Sequence, residues 1–324
     1  MAIINSVLGP LDTNDMGLTL MHEHIASLDM SMVHAFRDWV DIESTLEDFT
    51  KNIEAVKQYG VKTMIDHTPI NLGRDIDVLR KGAQKAKINI ICATGLYFME
   101  EPFIMRGTDA DCMAGYFIRD IIEGIQGTEY KAAFVKVATD KYHGESEVNQ
   151  TMMIAAAITA KQTGCPISTH TQSTLRHGVY QQDIFLKEGV KPYKIYIGHS
   201  FDCLDEGYLR ELMDKGSYVG CDQIGIIHRA TTEQLADIVA YLIKLRKGYE
   251  KQICLSHDSG AVSDYAYSFA PWKRDSMKNT SVRGYDELFK VMLPLLKVNG
   301  VSQEEIDMML IENPRRFFAG EPIR

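Results

Sequence analysis

Gly17-Leu18-Thr19-Leu20-Met21-His22-Glu23-His24 reads as an apolar strand that closes on two histidines. Residues i and i+2 of a strand point to the same face. His22 and His24 therefore both reach a point just beyond the strand's C-terminal end, where a metal ion can sit. Taken alone, the pair is equally a couple of packed, hydrogen-bonded histidines. Its meaning depends on what the other strands carry at their own ends.

Downstream, short apolar runs alternate with longer segments of helical period. A loop with Phe36 and Trp39 leads to Ser44-Thr45-Leu46-Glu47, which has the form of a capping box. Leu46, Phe49, Ile53 and Val56 follow at helical spacing, and Gly60 fits a C-terminal stop. Further strands read at residues 61–67, 89–97, 132–137, 166–170, 194–199, 217–222 and 252–258, with helical segments between them. Runs this uniformly apolar suit parallel strands buried on both faces. Eight strand–helix units are what a closed (β/α)8 barrel requires. An open, doubly wound sheet is the alternative. The barrel is favoured because polar residues collect at strand C-termini all the way round, not at one switch point. Residues 259–283 read as a long loop rich in Tyr, Phe and Ser. A helix from Tyr285 should be kinked or shortened by Pro294. A last helix opens at Ser302-Gln303-Glu304-Glu305 and should end at Asn313-Pro314. Without a repeat or linker, residues 1–324 read as one domain.

Of the 324 residues, 45% are hydrophobic and 24% charged, the composition of a globular chain with a sizeable core. The net charge of −9 argues against a broad nucleic-acid surface but leaves room for a small anionic substrate in a local basic pocket. The six cysteines form no C-x-x-C pair, and the expectation is buried free thiols in a reducing compartment. The N-terminus lacks the pattern of a signal peptide, and no apolar run approaches the roughly 18 residues of a membrane span. The expected setting is cytoplasmic, away from membranes.

The strand ends line up. The first gives His22 and His24; the fourth gives Lys136 in Phe134-Val135-Lys136-Val137; the fifth gives His170 in Ser168-Thr169-His170-Thr171. The sixth gives His199 in Ile197-Gly198-His199-Ser200, and the eighth gives Asp258 in Ser256-His257-Asp258. In a barrel all of these surround the mouth where such enzymes place their chemistry. Four imidazoles, a carboxylate and a lysine exceed the needs of one tetrahedral zinc and suit two divalent ions sharing a bridge. A free ammonium repels cations, but carbon dioxide converts a lysine into an anionic carbamate with two oxygen ligands. Rival readings of Lys136 are a Schiff-base nucleophile of the aldolase kind and a partner for Asp140 or another acid.

This set, in this order, resembles the phosphotriesterase-related family of the amidohydrolase superfamily, over nearly the whole chain from Leu8-Gly9-Pro10 to Asn313-Pro314. The resemblance implies a binuclear metal centre with His22, His24, His170, His199 and Asp258 as ligands and Lys136 as a bridging N6-carboxylysine. The metal is zinc by default for a histidine-rich site, with manganese, cobalt or iron as alternatives. A metal-bridging hydroxide would attack a carbonyl carbon or phosphorus, with Asp258 as proton acceptor. His257 or solvent would carry that proton on to the leaving group. Similarity to the lactonase branch places Tyr97, in Thr94-Gly95-Leu96-Tyr97, beside the metals, where its hydroxyl can bond the substrate carbonyl oxygen. Lactonases of the family often carry an arginine just after the seventh strand's aspartate; here Asp222 is followed by Gln223. The expected activity is hydrolysis of a lactone or carboxylic ester, of a sugar, phosphorylated-sugar or acyl-homoserine kind. A side activity on organophosphates would accompany it. Phosphoric-ester hydrolysis is the alternative, and a non-catalytic metal-binding barrel a third. The resemblance also implies a homodimer acting on a small molecule.

Other residues have plainer readings. His67 and His257 fit packing or support of the ligands, and His143, His177 and His228 fit loops. Asp222 fits an acceptor that orients a ligand histidine, or a structural cap. Tyr265, Tyr267, Phe269 and Trp272 either pack the last loop or wall a substrate pocket. Arg229, Lys273 and Arg274 are solvated charges or contacts for a substrate anion.

Overall fold

A computed structural model describes residues 2–98, 107–140, 144–226, 229–264 and 284–323. An antiparallel hairpin of β1 (Ile3–Ser6) and β2 (Gly9–Asp12) precedes β3 (Leu18–Glu23), the strand of the His-x-His stretch. The short β4 (Ala26–Ser27) and α1 (Met30–Ala35) fall where the sequence suggested only loop. Alternation then sets in: α2 (Ile42–Lys57), β5 (Val61–Asp66), α3 (Ile76–Ala86), β6 (Asn89–Gly95), α4 (Ala110–Ile122), β7 (Phe134–Ala138), α5 (Glu147–Thr163) and β8 (Ile167–His170). It continues through α6 (His177–Lys187), β9 (Ile195–Ile197), α7 (Glu206–Asp214), β10 (Tyr218–Cys221), α8 (Thr232–Lys244) and β11 (Ile253–Leu255). The strands β3 and β5 to β11 form one eight-stranded parallel sheet in sequential order.

The sheet curls into a nearly closed barrel. The seam between β11 and β3 is sewn by other bonds than a strand ladder: Asp258 N–H donates to His22 O at 3.0 Å, and His22 N–H to Ser256 Oγ at 2.9 Å. Glu23, fully buried, accepts from Ser256 Oγ, from the backbone N–H of His257 and Ser259, and from His257 Nδ1, at 2.7 to 3.0 Å. A register shift between Leu20 and Glu23 lets both Met21 and His22 turn inward. The short pair β4 and β12 (Val262–Ser263) extends the seam above the barrel.

Two apolar layers follow from strand alternation. One lies between strands and helices and contains Phe49, Phe117, Phe185 and Leu209. The other fills the barrel's interior with Met21, Ile65, Ile91, Phe134, Tyr196, Tyr218 and Cys254, closed from below by Phe317 and Phe318. Each such fully buried apolar side chain contributes about 1.5–3 kcal/mol. A filled interior forces the chemistry to the upper rim.

Helix ends differ from the sequence reading in two places. The cap of α2 is Asp41, whose side chain accepts from Ser44 N–H, so Ser44 lies inside the helix. Asn313-Pro314 does not end the last helix. After α9 (Leu293–Val298) and α10 (Gln303–Asp307), a π-turn at Met308–Glu312 hands over to α11 (Asn313–Ala319), with Pro314 in its first turn. Glu312 and Asn313 keep right-handed helical φ and ψ, so the helix runs on, and the wider π-turn takes up the hydrogen bond that the proline cannot make. Pro294 is handled alike: the π-turn Leu288–Met292 precedes it, and the proline opens α9. All six cysteines are free; Cys112 is exposed, against expectation, while Cys92, Cys165, Cys221 and Cys254 are buried. Among the described residues no helix is long and apolar enough to cross a membrane.

Candidate active site

Each imidazole of the expected set is held by one ring nitrogen. His22 Nδ1 meets Asp222 Oδ2 at 2.8 Å and His199 Nδ1 meets Asp222 Oδ1 at 3.0 Å. His24 Nδ1 meets Thr68 Oγ1 at 2.8 Å, and His170 Nε2 meets Asp140 Oδ2 at 3.2 Å. An ionised carboxylate only accepts, so the anchored nitrogens of His22, His199 and His170 carry the protons and the opposite nitrogens keep lone pairs. Three of those opposite nitrogens face one carboxylate. His24 Nε2 lies 3.3 Å and His22 Nε2 3.7 Å from Asp258 Oδ1, and His199 Nε2 lies 3.8 Å from Asp258 Oδ2. Anchoring one nitrogen and aiming the other is how metal-binding histidines are oriented.

Two groups among the described residues are close enough to hold a metal ion: His22, His24 and Asp258, and His22, His199 and Asp222. The first fits an ion by its chemistry, since its lone pairs converge. In the second, both oxygens of Asp222 are already engaged; Oδ2 also accepts from Tyr196 Oη at 2.7 Å and Oδ1 from His199 N–H at 2.9 Å. Asp222 is thus an orienting acceptor serving two imidazoles at once.

Lys136 sits at the centre of β7, paired in register with Gly95 of β6 and Ser168 of β8. Its Nζ is 3.2 Å from His22 Nε2 and 3.0 Å from Thr169 O. It makes no pair with Asp140, which is occupied by His170. Burial, only partly offset by Asp258 and Asp222, pushes the ammonium's pKa from 10.5 down to about 7. A neutral amine is the form that captures carbon dioxide. Burial and Lys136 likewise push His22 down to about 3, against the pull of Asp222. Burial and His199 push His170 down to about 4. Both rings are neutral at pH 7, as ligands must be. Burial opposes charge on His199 too, but Asp222 and Asp258 outweigh it and raise the pKa. Burial also opposes charge on Asp258, yet His199, His22 and His24 hold the carboxyl well below its usual range.

Backbone geometry is bent to this purpose. His199 and Asp258 both have left-handed φ, 56° and 54°, a conformation costing a non-glycine residue about 1–3 kcal/mol. Gly95 has φ 111°, and a Cβ there would lie 1.9 Å from Lys136 O. Only glycine lets β6 pass this close to β7 and turn. Beyond the turn, Asn71 clamps Tyr97 through Oδ1 to N at 2.6 Å and Nδ2 to O at 2.9 Å, and Tyr97 Oη comes 3.2 Å from His170 Nδ1. All the expected site residues therefore meet at one mouth.

Other expected residues fall elsewhere. His67 stacks on His22, ring centres 3.8 Å apart, in a packing role. His257 is fully buried, with Nδ1 on Glu23 at 2.7 Å and Nε2 without a hydrogen-bond partner among the described residues. His177 is no loop residue: it opens α6, buried against Gly144. Gln223 donates from Nε2 to Asp258 Oδ2 at 2.9 Å. Arg229 lies 3.7 Å from Asp202, whose carboxyl burial pushes up to about 7, with His199 and Arg229 opposing. His143, His228, Tyr265, Tyr267, Phe269, Trp272, Lys273 and Arg274 lie outside the described residues. Sequence reading missed Glu23, Thr68 and Tyr196. Glu23 stood in plain sight within Met21-His22-Glu23-His24; period-2 alternation points it away from the metal face and into the seam.

Comparison with known proteins agrees with this geometry. The Phosphotriesterase family matches residues 2–318. An aryldialkylphosphatase of Saccharolobus solfataricus is 35% identical over 313 residues, covering 95% of this chain and 97% of its own. A phospho-furanose lactonase of Mycoplasmopsis agalactiae is 28% identical over 334 residues, covering 98% and 91%. The solved phosphotriesterase of Mycobacterium tuberculosis superposes with a TM-score of 0.87 at 34% identity, covering 98% of both chains. With a barrel of this kind and a ring of convergent histidines around an aspartate, the chain belongs to the phosphotriesterase family and is one of its metal-dependent hydrolases.

Proposed function

We propose that the protein is a lactonase, opening a lactone or related carboxylic ester. The observation that carries this reading is Tyr97, whose hydroxyl is held at the rim 3.2 Å from His170 Nδ1. A hydroxyl donor there suits the oxygen of a planar carbonyl. The phospho-furanose lactonase among the relatives supports a sugar lactone, phosphorylated or not.

His22, His24, His170, His199 and Asp258 would hold two divalent ions, with Lys136 as N6-carboxylysine between them. When bound, such ions supply Lewis acidity and an activated water near neutral pH. The remaining work belongs to side chains. Tyr97, whose single hydroxyl proton meets His170 Nδ1 in the metal-free chain, would turn that donor to the carbonyl oxygen once a metal ion occupied the nitrogen. Asp258 accepts the proton released by the attacking water and returns it, through solvent, to the leaving alkoxide. Asp222 keeps His22 and His199 in one tautomer throughout.

The aryldialkylphosphatase relative favours a second reading, phosphoric-ester hydrolysis, since attack at phosphorus builds similar charge on a similar oxygen. Metal content per chain, measured together with acid release from γ- and δ-lactones, sugar-lactone phosphates and one phosphotriester, separates the two. We expect about two metals per chain, as a shared-bridge site requires, and lactone turnover that Lys136→Ala abolishes. Turnover of the phosphotriester alone would promote the second reading. Absence of metal, or full activity in the variant, would refute both.

A further inference from the structure

Between the loop after β5 and helix α4 the fold leaves a cavity of about 330 Å3. Ile70, Leu96, Tyr116 and Phe117 give it apolar walls, and Arg74 and Asp120 also line it. None of the expected metal-site residues does. Arg74 is only 8% exposed, yet its guanidinium finds acceptors through one nitrogen alone. Nη1 donates to Asp120 Oδ2 at 2.5 Å and to Ala93 O at 3.3 Å. Nε is buried without a hydrogen-bond partner, and Nη2, which keeps accessible surface, has none among the described residues either. The donors on one whole edge of the planar group are thus unmet. A buried donor without an acceptor is costly, and a ligand that brings the acceptor recovers the cost. The Nε–Nη2 edge matches the two oxygens of one carboxylate. Arg119 lines the cavity too, so guanidinium groups outnumber carboxylates there by two to one.

We propose that this cavity is a second, regulatory ligand site for a small organic acid with one carboxylate and a compact apolar body. The carboxylate lies along the Nε–Nη2 edge of Arg74, and the apolar body packs against Leu96 and Phe117. The volume is that of a small-molecule site at the lower end of the usual range. Asn71 is part of the same lining, and Asn71 is the residue that grips both backbone groups of Tyr97. A ligand in the cavity therefore bears on the loop that sets Tyr97, and it alters turnover without occupying the mouth. The effect on turnover rests on the lactonase reading above; the binding does not.

The probe is 3-phenylpropionate, with 3-phenylpropanamide as its neutral match, titrated by calorimetry into the metal-loaded protein. Arg74→Lys keeps a cation beside Asp120 and removes the Nε–Nη2 edge. Ile70→Trp fills the cavity and leaves every charge in place. In the wild type the acid binds about tenfold or more tighter than the amide, and each variant weakens the acid by a similar factor, as expected for a charge-assisted pair of bonds. Backbone amide shifts of Gly124, Gln126 and Gly127, which line the cavity, place the probe in the wild type even if a variant misfolds. With a lactone substrate, the saturating acid changes kcat. Equal affinity for acid and amide, or unmoved amide signals, overturns the site. So does affinity that survives both variants with purely competitive inhibition, which puts the acid at the metal centre. Binding in the cavity with turnover unchanged overturns the coupling through Asn71. A protein that opens no lactone fails the lactonase reading instead, and the binding and amide-shift results then decide the site alone.

Discussion

At the scale of single residues, Asp222 has the widest reach. One carboxylate fixes the tautomers of His22 and His199 and takes a third bond from Tyr196, and these partners hold it ionised against the large penalty of burial. An asparagine in its place has one acceptor oxygen and a nitrogen that can only donate, so one imidazole must turn or change tautomer. Asp222→Asn should lower metal affinity or activity by about 10- to 100-fold, the usual cost of losing an outer partner of a metal-binding histidine. Metal titration followed by spectroscopy or mass spectrometry checks this; unchanged affinity and activity would show that the tautomers are set elsewhere. The identities of His22, His24, His170, His199 and Asp258 were legible because they close apolar runs, and that of Lys136 because it interrupts one. Their supporting partners were not. Thr68 looks like an ordinary loop residue and Tyr196 like an ordinary strand residue, and only the packed barrel brings them to a histidine or to Asp222.

At the scale of elements, the weak point of the barrel is its seam. The ladder that joins every other neighbouring pair is missing between β11 and β3, and Glu23 substitutes for it with bonds to Ser256, His257 and Ser259. Glu23→Ala leaves these donors buried and unpaired, at a cost of about 3 kcal/mol or more. Urea unfolding of the variant measures it. A loss under about 1 kcal/mol, small for a buried charged acceptor, would mean that the seam is held by packing and not by this carboxylate. The eight strands themselves were readable because parallel strands buried on both faces are continuous apolar runs. Helix ends were less so. Pro294 and Pro314 look like stops, yet each sits in the first turn of a helix behind a π-turn, and no local signal distinguishes a proline that ends a helix from one that restarts it.

At the scale of the whole molecule, the site is bought with stability. Metal-free Lys136 titrates at about 7 in the folded protein against 10.5 for an ordinary lysine. Below about 7 both folded and unfolded chains carry the proton, and the folded state bears the full cost of a buried charge. Between 7 and 10.5 the unfolded chain binds more protons than the folded one, so stability rises with pH across that window. Removing the amine abolishes this contribution. The stability advantage of metal-stripped Lys136→Met over metal-stripped wild type should therefore be largest near pH 7 and shrink toward alkaline pH, measured by denaturant unfolding in carbon-dioxide-free buffer. A constant advantage would place the lysine in a wetter setting than the barrel interior. The amino-acid sequence by itself determined the eight-unit barrel, the order of the six polar strand ends and the family, because strand periodicity and the polarity of strand termini are local properties. Only the tertiary structure decided which nitrogen of each histidine is free, and which carboxylate orients and which converges. Those depend on side chains from β3, β7, β8, β9, β10 and β11 meeting across the mouth, and distances between strands remote in sequence are written in no local stretch of the chain.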